Sequence, residues 1–201
     1  ILTIPSDIAI ELETPVGTQI DLGTASSNDI VDPQPQLTND APEVFPLGET
    51  IVTWTATDLS GNTASATQFI SVVDTTAPSI ITPNDMQIEA ESAFTKIQEL
   101  GETISEDFSE ISSITNDAPE VFPLGETIVT WTATDLSGNS STDTQIISVV
   151  DTTSPILTIP SDIAIELETP VGTQIDLGTA SSNDIVDPQP QLTNDAPEVF
   201  P

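Results

Sequence analysis

Thirty-three acidic residues against a single base, Lys96, give this 201-residue chain a formal net charge of −32, with no His and no Cys. Nothing in it can neutralise phosphates, and anionic membrane surfaces repel it, so nucleic acid and charged bilayers are excluded as partners. Disulfides, zinc sites, thiol nucleophiles and histidine triads go with the missing residue types, which leaves carboxylate chemistry: hard cations or a paired-acid hydrolase.

Hydrophobic residues make up 36% of the chain, more than a disordered acidic tail carries. Thr, Val and Ile favour strands. Near the start, Ile8, Ile10 and Leu12 alternate with Ala9, Glu11 and Glu13, the period of two of a half-buried strand. Asn39-Asp40 follows as a turn signal and as a weaker candidate cation ligand pair. Residues 51–57 form the clearest strand, with Val52, Trp54 and Ala56 on one face and Ile51 with the threonines on the other. Asp58-Leu59-Ser60-Gly61-Asn62 has the chemistry of a hairpin loop, and residues 68–73 form the returning strand. The run Phe94–Leu100 is expected to be a strand, although its alternation is poor. Val129, Trp131 and Ala133 repeat the inward set of the first strong strand, so Trp54 and Trp131 are expected to be core residues. No segment has a helical period, and no apolar run is long enough to insert in a membrane.

The order of these elements repeats. Residues 1–46 recur identically as 156–201, and residues 39–62 recur identically as 116–139. The linker Val-Val-Asp-Thr-Thr-x-Pro occurs at 72–78 and 149–155. This divides the chain into modules at 1–73, 74–150 and 151–201, the third ending short of its last strands. Each is expected to be a small antiparallel β-sandwich, so the fold class is all-β: tandem sandwiches arranged as a rod.

The run Phe-Pro-Leu-Gly-Glu-Thr-Ile-Val-Thr-Trp-Thr-Ala-Thr-Asp-Leu-Ser-Gly-Asn, followed by a strand ending in Val-Val-Asp-Thr-Thr-x-Pro, resembles the hyalin repeat. The resemblance covers both complete modules and the partial third. It implies immunoglobulin-like modules of extracellular or cell-surface proteins, tandemly arrayed and associated with adhesion and matrix. Animal members commonly carry cysteines, so their absence here points to a prokaryotic surface protein.

In an immunoglobulin-like sandwich the B–C and F–G loops sit at the pole where the chain enters. The linker Asp of one module should therefore meet those loops of the next. At the complete junction this brings together Asp74 from the linker, Asp107 with Glu106 beside it, and Asp135 with Asn139. The corresponding positions are Asp29, Asp58 and Asn62 in the first module and Asp151 and Asp184 in the third. Several carboxylates with amide and main-chain oxygens make a ligand set for Ca²⁺, and without a cation they repel one another. It is not an EF-hand, because no such loop sequence is present.

The expected function is a structural segment of an extracellular filament, stiffened by Ca²⁺ at its junctions and associating with copies of itself head-to-tail or laterally. The alternative is the stalk or binding module of a large adhesin recognising glycans or proteins. An enzyme is not expected, since a module of about 77 residues offers little pocket for two acids to work in. Asn139-Ser140-Ser141 is also a glycosylation sequon. The acids number 10, 14 and 9 in the three modules, so the charge belongs to every repeat.

Overall fold

The computed structural model describes residues 1–166 and 169–200. Among them every regular element is a strand. In the first repeat these are β1 (Leu2–Thr3), β2 (Ile8–Glu11), β3 (Ser26–Ser27), β4 (Gln36–Asn39), β5 (Gly48–Thr57) and β6 (Thr63–Val73). The second has β7 (Ser79–Ile81), β8 (Met86–Glu89), β9 (Phe94–Thr95), β10 (Ile104–Glu106), β11 (Ile111–Asn116), β12 (Phe122–Pro123), β13 (Gly125–Asp135) and β14 (Ser140–Val150). The third has β15 (Ile156–Thr158) and β16 (Ser181–Asn183).

The chain forms two compact units. One comprises Ile1–Ile81, Thr103–Thr115 and Trp131–Asp143, and the other Thr82–Glu102, Asn116–Thr130 and Thr144–Pro201. The division runs through the second repeat.

In the first unit, β5 and β6 pair antiparallel over ten residue pairs, from Gly48↔Val72 to Thr57↔Thr63. The alternation read from the sequence sets their faces: Val52, Trp54 and Ala56 are buried, while Ile51 is exposed. The hairpin closes because Asp58 Oδ1 accepts the amides of Ser60 and Asn62 at 2.9 and 2.8 Å. Gly61 supplies the positive φ of 86° that other residues avoid. β4 flanks β5, and β2 flanks β6, in a sheet of order β2-β6-β5-β4.

The expectation of wholly antiparallel sandwiches needs correction at one strand in each of the first two repeats. β2 runs parallel to β6, with Ile8↔Ile70 and Glu11↔Val73 in register. β8 does the same beside β14, with Met86↔Ile147 and Glu89↔Val150. Parallel neighbours need a crossover connection, which here is the rest of the same repeat, β3–β5 in the first and β9–β13 in the second.

Opposite the large sheet lies a sparser layer, made of the β1–β3 pair and the Thr18↔Phe45 bridge. Leu12, Ala25, Phe45, Val52, Trp54, Ile70 and Val72 form the core between them. At its centre Gln68, fully buried, accepts the Trp54 Nε1 hydrogen at 3.0 Å and donates from Nε2 to Ser6 O at 2.7 Å and Leu22 O at 3.3 Å. That leaves no polar atom of the pair unsatisfied, as burial requires.

The second repeat buries the equivalent residues Phe122, Val129, Trp131, Ala133, Ile147 and Val149. Its large sheet has the order β11-β13-β14-β8. The strand expected over Phe94–Leu100 is only the two residues of β9. Its partner β12 is equally short and ends on Pro123, which has no N–H to extend the ladder. In the third repeat, β15 pairs with β16 and Thr173 bridges Phe200.

Candidate metal centre

The linker between the first two repeats is held on the side it leaves. Leu12 N donates to Val73 O at 2.7 Å. Glu11, the last residue of β2, reaches past Asp74: its Oε1 accepts the Thr75 amide at 2.7 Å and the Thr76 hydroxyl at 3.0 Å, and its Oε2 accepts the Thr75 hydroxyl at 3.0 Å. These bonds, led by the Thr75 amide, hold the Glu11 carboxyl below its ordinary pKa. Asp74 lies between the two fastenings. Its Oδ1 accepts the Thr76 amide at 3.2 Å. Its Oδ2 is buried with no hydrogen-bond partner, in a residue only 9% exposed.

On the other side stands the loop joining β13 to β14, built like the first-repeat hairpin. Gly138 takes φ 92°, and Asp135 N donates to Asn139 O at 3.1 Å. Asp135 Oδ1 accepts the Asn139 amide at 2.8 Å. The Asn139 side chain donates from Nδ2 to Asp135 Oδ2 at 2.9 Å and to Asp74 O at 3.1 Å. Burial pushes the Asp135 carboxyl up, but the bonds from Asn139 and from the Gly138 and Ser137 amides outweigh it and hold the pKa low. Asp107, just after β10, is fixed by Ser109, whose amide and hydroxyl donate to its Oδ1 at 2.8 and 3.1 Å.

These three carboxylates converge. Asp74, Asp107 and Asp135 each offer an oxygen, and the three oxygens lie within 4.8 Å of one another. The only side-chain cation in the sequence, Lys96, is engaged by Glu120 at 3.8 Å. A buried carboxylate oxygen without a donor, beside two more anionic groups, is an unfavourable arrangement. A hard cation removes both faults at once. The donor set is all oxygen, which suits Ca²⁺ and excludes thiolate- or imidazole-seeking metals.

No protein-family model matches the chain. It is 38% identical over 156 residues to hyalin of Strongylocentrotus purpuratus, which covers 73% of this chain and 12% of that protein. It is 36% identical over 140 residues to hyalin of Lytechinus variegatus, covering 65% of this chain and 26% of that one. The chain belongs to the hyalin-repeat family. It is an extracellular or cell-surface sequence. Half of it is also 36% identical to the sushi, von Willebrand factor type A, EGF and pentraxin domain-containing protein 1 of Rattus norvegicus, 3% of whose length is matched. The chain thus spans about a quarter or less of each of these relatives. Solved structures similar to it include Drosophila N-cadherin EC1-4, with a TM-score of 0.38 and 17% identity over 90% of this chain and 57% of that one. Protocadherin gammaB7 EC3-6 gives 0.36 and 14% over 90% and 54%.

Across the hyalin repeats the expected ligands fare differently. Glu106 is exposed, pairs with Ser79 in the β7–β10 ladder and lies outside the group of three. Asn139 meets the group as a donor through its amide nitrogen, which organises Asp74 and Asp135. The same two bonds engage the atom a glycan would need. In the first repeat Asp29, Asp58 and Asn62 line one pocket. The Val31 and Asp32 amides lower the Asp29 pKa, against burial and the charge of Asp58. Bonds from the Asn62 side chain and amide lower that of Asp58. In the third repeat the Asp187 and Val186 amides lower the Asp184 pKa against burial, and Asp151 Oδ1 accepts the Thr153 amide at 3.1 Å. Of the weaker pair, Asn39 shapes the turn by accepting the Ala41 amide at 3.1 Å, and Asp40 accepts the Thr53 amide of β5 at 2.7 Å; the identical pair Asn116-Asp117 does the same with Ala118 at 3.1 Å and Thr130 at 2.6 Å.

Sequence reasoning missed the glutamates. Glu89 grips the next linker as Glu11 grips the first, accepting Thr152 N at 2.8 Å, Thr152 Oγ1 at 2.9 Å and Thr153 Oγ1 at 3.1 Å. The signal available was a Glu at the same place in each repeat together with two threonines after each linker Asp.

Proposed function

We propose that this hyalin-repeat chain is a structural segment of an extracellular, adhesion-type filament, built of modules at 1–73, 74–150 and 151–201 and stiffened by Ca²⁺ at their junctions. The observation that carries the reading is the buried, unpartnered Oδ2 of Asp74, a residue whose carboxylate offers an oxygen within 4.8 Å of oxygens from Asp107 and Asp135. Asp74 belongs to the linker and the other two to the following repeat. A cation among them ties the linker to that repeat and restricts a hinge that is mobile by default. It also stabilises the fold by mass action, by roughly 3–4 kcal/mol when free Ca²⁺ exceeds its Kd by ~100–1,000-fold. The Asp29–Asp58–Asn62 and Asp151–Asp184 sets serve the neighbouring junctions in the same way.

In this reading the partners are further copies of the chain, met head-to-tail or laterally, and catalysis plays no part. The absence of cysteine supports a prokaryotic source, whereas the relatives named above are animal proteins. The test is thermal melting and small-angle scattering in millimolar Ca²⁺ and in EDTA. Calcium is expected to raise the melting temperature and narrow the distribution of inter-repeat geometries, and identical curves in both buffers would sink the reading. Negative-stain images of the native material separate a filament, seen as long uniform fibres, from an adhesin stalk with a distinct tip that binds glycan or protein.

A further inference from the structure

We infer that Glu11 and Glu89 are positioning residues of the junctions: each fastens the two threonines of the following linker onto its own repeat and so fixes where the linker aspartate presents its carboxylate. The inference rests on the metal reading above and adds to it the group that sets up the ligand.

The same fastening occurs at both linkers. At the first, Leu12 N holds Val73 O at 2.7 Å on one side of Asp74, and Glu11 holds Thr75 and Thr76 on the other. At the second, Ala90 N holds Val150 O at 2.7 Å before Asp151, and Glu89 holds Thr152 and Thr153 after it. The register explains why a glutamate does this. Glu11 lies opposite Val73, and Glu89 opposite Val150, in the parallel ladders. The two strands of each ladder point the same way, so the glutamate side chain needs to reach only past the end of its neighbour to meet the linker. Both carboxylate oxygens are used, one by two donors, so the glutamate is occupied as an acceptor and is not itself offered to the ion.

With its flanking residues pinned, the linker aspartate loses little freedom on binding a cation. Without the tether that ordering has to come from the binding energy. Outer residues that orient metal ligands typically change affinity 10–100-fold when altered.

The experiment uses the whole chain, ¹⁵N-labelled, titrated with Ca²⁺ and followed at the amides of Asp107 and Ser109, with exchange of the Thr75 amide measured in EDTA. Glu11→Gln is expected to raise the half-saturating Ca²⁺ at Asp107 and Ser109 about 10-fold and to speed Thr75 exchange. Glu89→Gln removes the same charge but is expected to leave that half-saturation within about twofold of the unaltered chain, because it frees Thr152 instead. A Glu11→Gln chain that titrates like the unaltered one overturns the inference while leaving the metal reading intact. An unaltered chain showing no calcium-dependent shift at Asp107 and Ser109 overturns the metal reading and this inference with it. Thr76→Val, which removes one hydroxyl donor and no charge, is expected to move the half-saturation in the same direction by a smaller factor.

Discussion

The Asn139 side chain donates a hydrogen bond to the main-chain oxygen of Asp74 at 3.1 Å. A loop of the second repeat thereby holds the linker leaving the first, and the same nitrogen steadies Asp135 Oδ2 at 2.9 Å. Asn62 makes the corresponding loop bond to Asp58 at 2.8 Å.

Replacing Asn139 with Ala should therefore cost more than replacing Asn62. Each deletion loses a loop bond worth about 1 kcal/mol, but only Asn139→Ala also releases the linker. Paired thermal melts with and without Ca²⁺ measure this: Asn139→Ala should lower the calcium-induced rise, and Asn62→Ala should leave that part of the rise due to the Asp74 site unchanged.

Asp74→Asn should change sign with the ion. In EDTA it removes a buried anionic group from a repulsive set, so the variant should melt at or above the unaltered chain. In Ca²⁺ at ~100 times its Kd the unaltered chain should rise by roughly 5–10 °C, and the variant should not follow. Differential scanning calorimetry in the two buffers checks both halves.

The acid response of the tethers follows from their pKa direction. Hydrogen bonds from the linker threonines, led in each case by a main-chain amide, lower Glu11 and Glu89 from the ordinary 4.5. A carboxyl depressed by folding contributes stability that is fully present above its unfolded value and is lost as pH falls through its folded one. The melting difference between the unaltered chain and the Glu11→Gln, Glu89→Gln double variant should thus hold steady from pH 7 to about 5 and shrink below 4.5. Taking the difference removes the general relief of acidic self-repulsion, which both chains share. A difference that grows in acid would contradict the assignment.

Gln68→Leu should be severe despite its apolar replacement. It leaves Trp54 Nε1 and the carbonyls of Ser6 and Leu22 without their partner in the core. The expected loss is on the order of 2–4 kcal/mol, read by denaturant unfolding with tryptophan fluorescence.

Much of this was legible in the chain. The alternation Val52-Trp54-Ala56 gave the buried face, because a strand's period of two maps directly onto its two sides. The convergence of Asp74, Asp107 and Asp135 followed from repeat order and loop position. Glu106 did not join them: it is the last residue of β10, paired with Ser79, and its side chain is exposed. The Glu11 tether was hidden because its partners lie 64 and 65 residues away, and only the parallel β2–β6 pairing brings them together.

One segment separates the two kinds of information. Ile8-Ala9-Ile10-Glu11 recurs without change as Ile163-Ala164-Ile165-Glu166. The first copy is strand β2, paired along β6; the second is in no strand, and Ile163 and Ile165 are exposed. By itself, then, the sequence determined the repeat, the alternating faces, the turn residues and the supply of oxygen ligands, all of which are local chemistry. Tertiary structure decided that β2 runs parallel to β6, and with that which linker the Glu at the end of β2 holds. Backbone hydrogen bonds in a sheet need a neighbour, and here that neighbour comes from the far end of the same repeat.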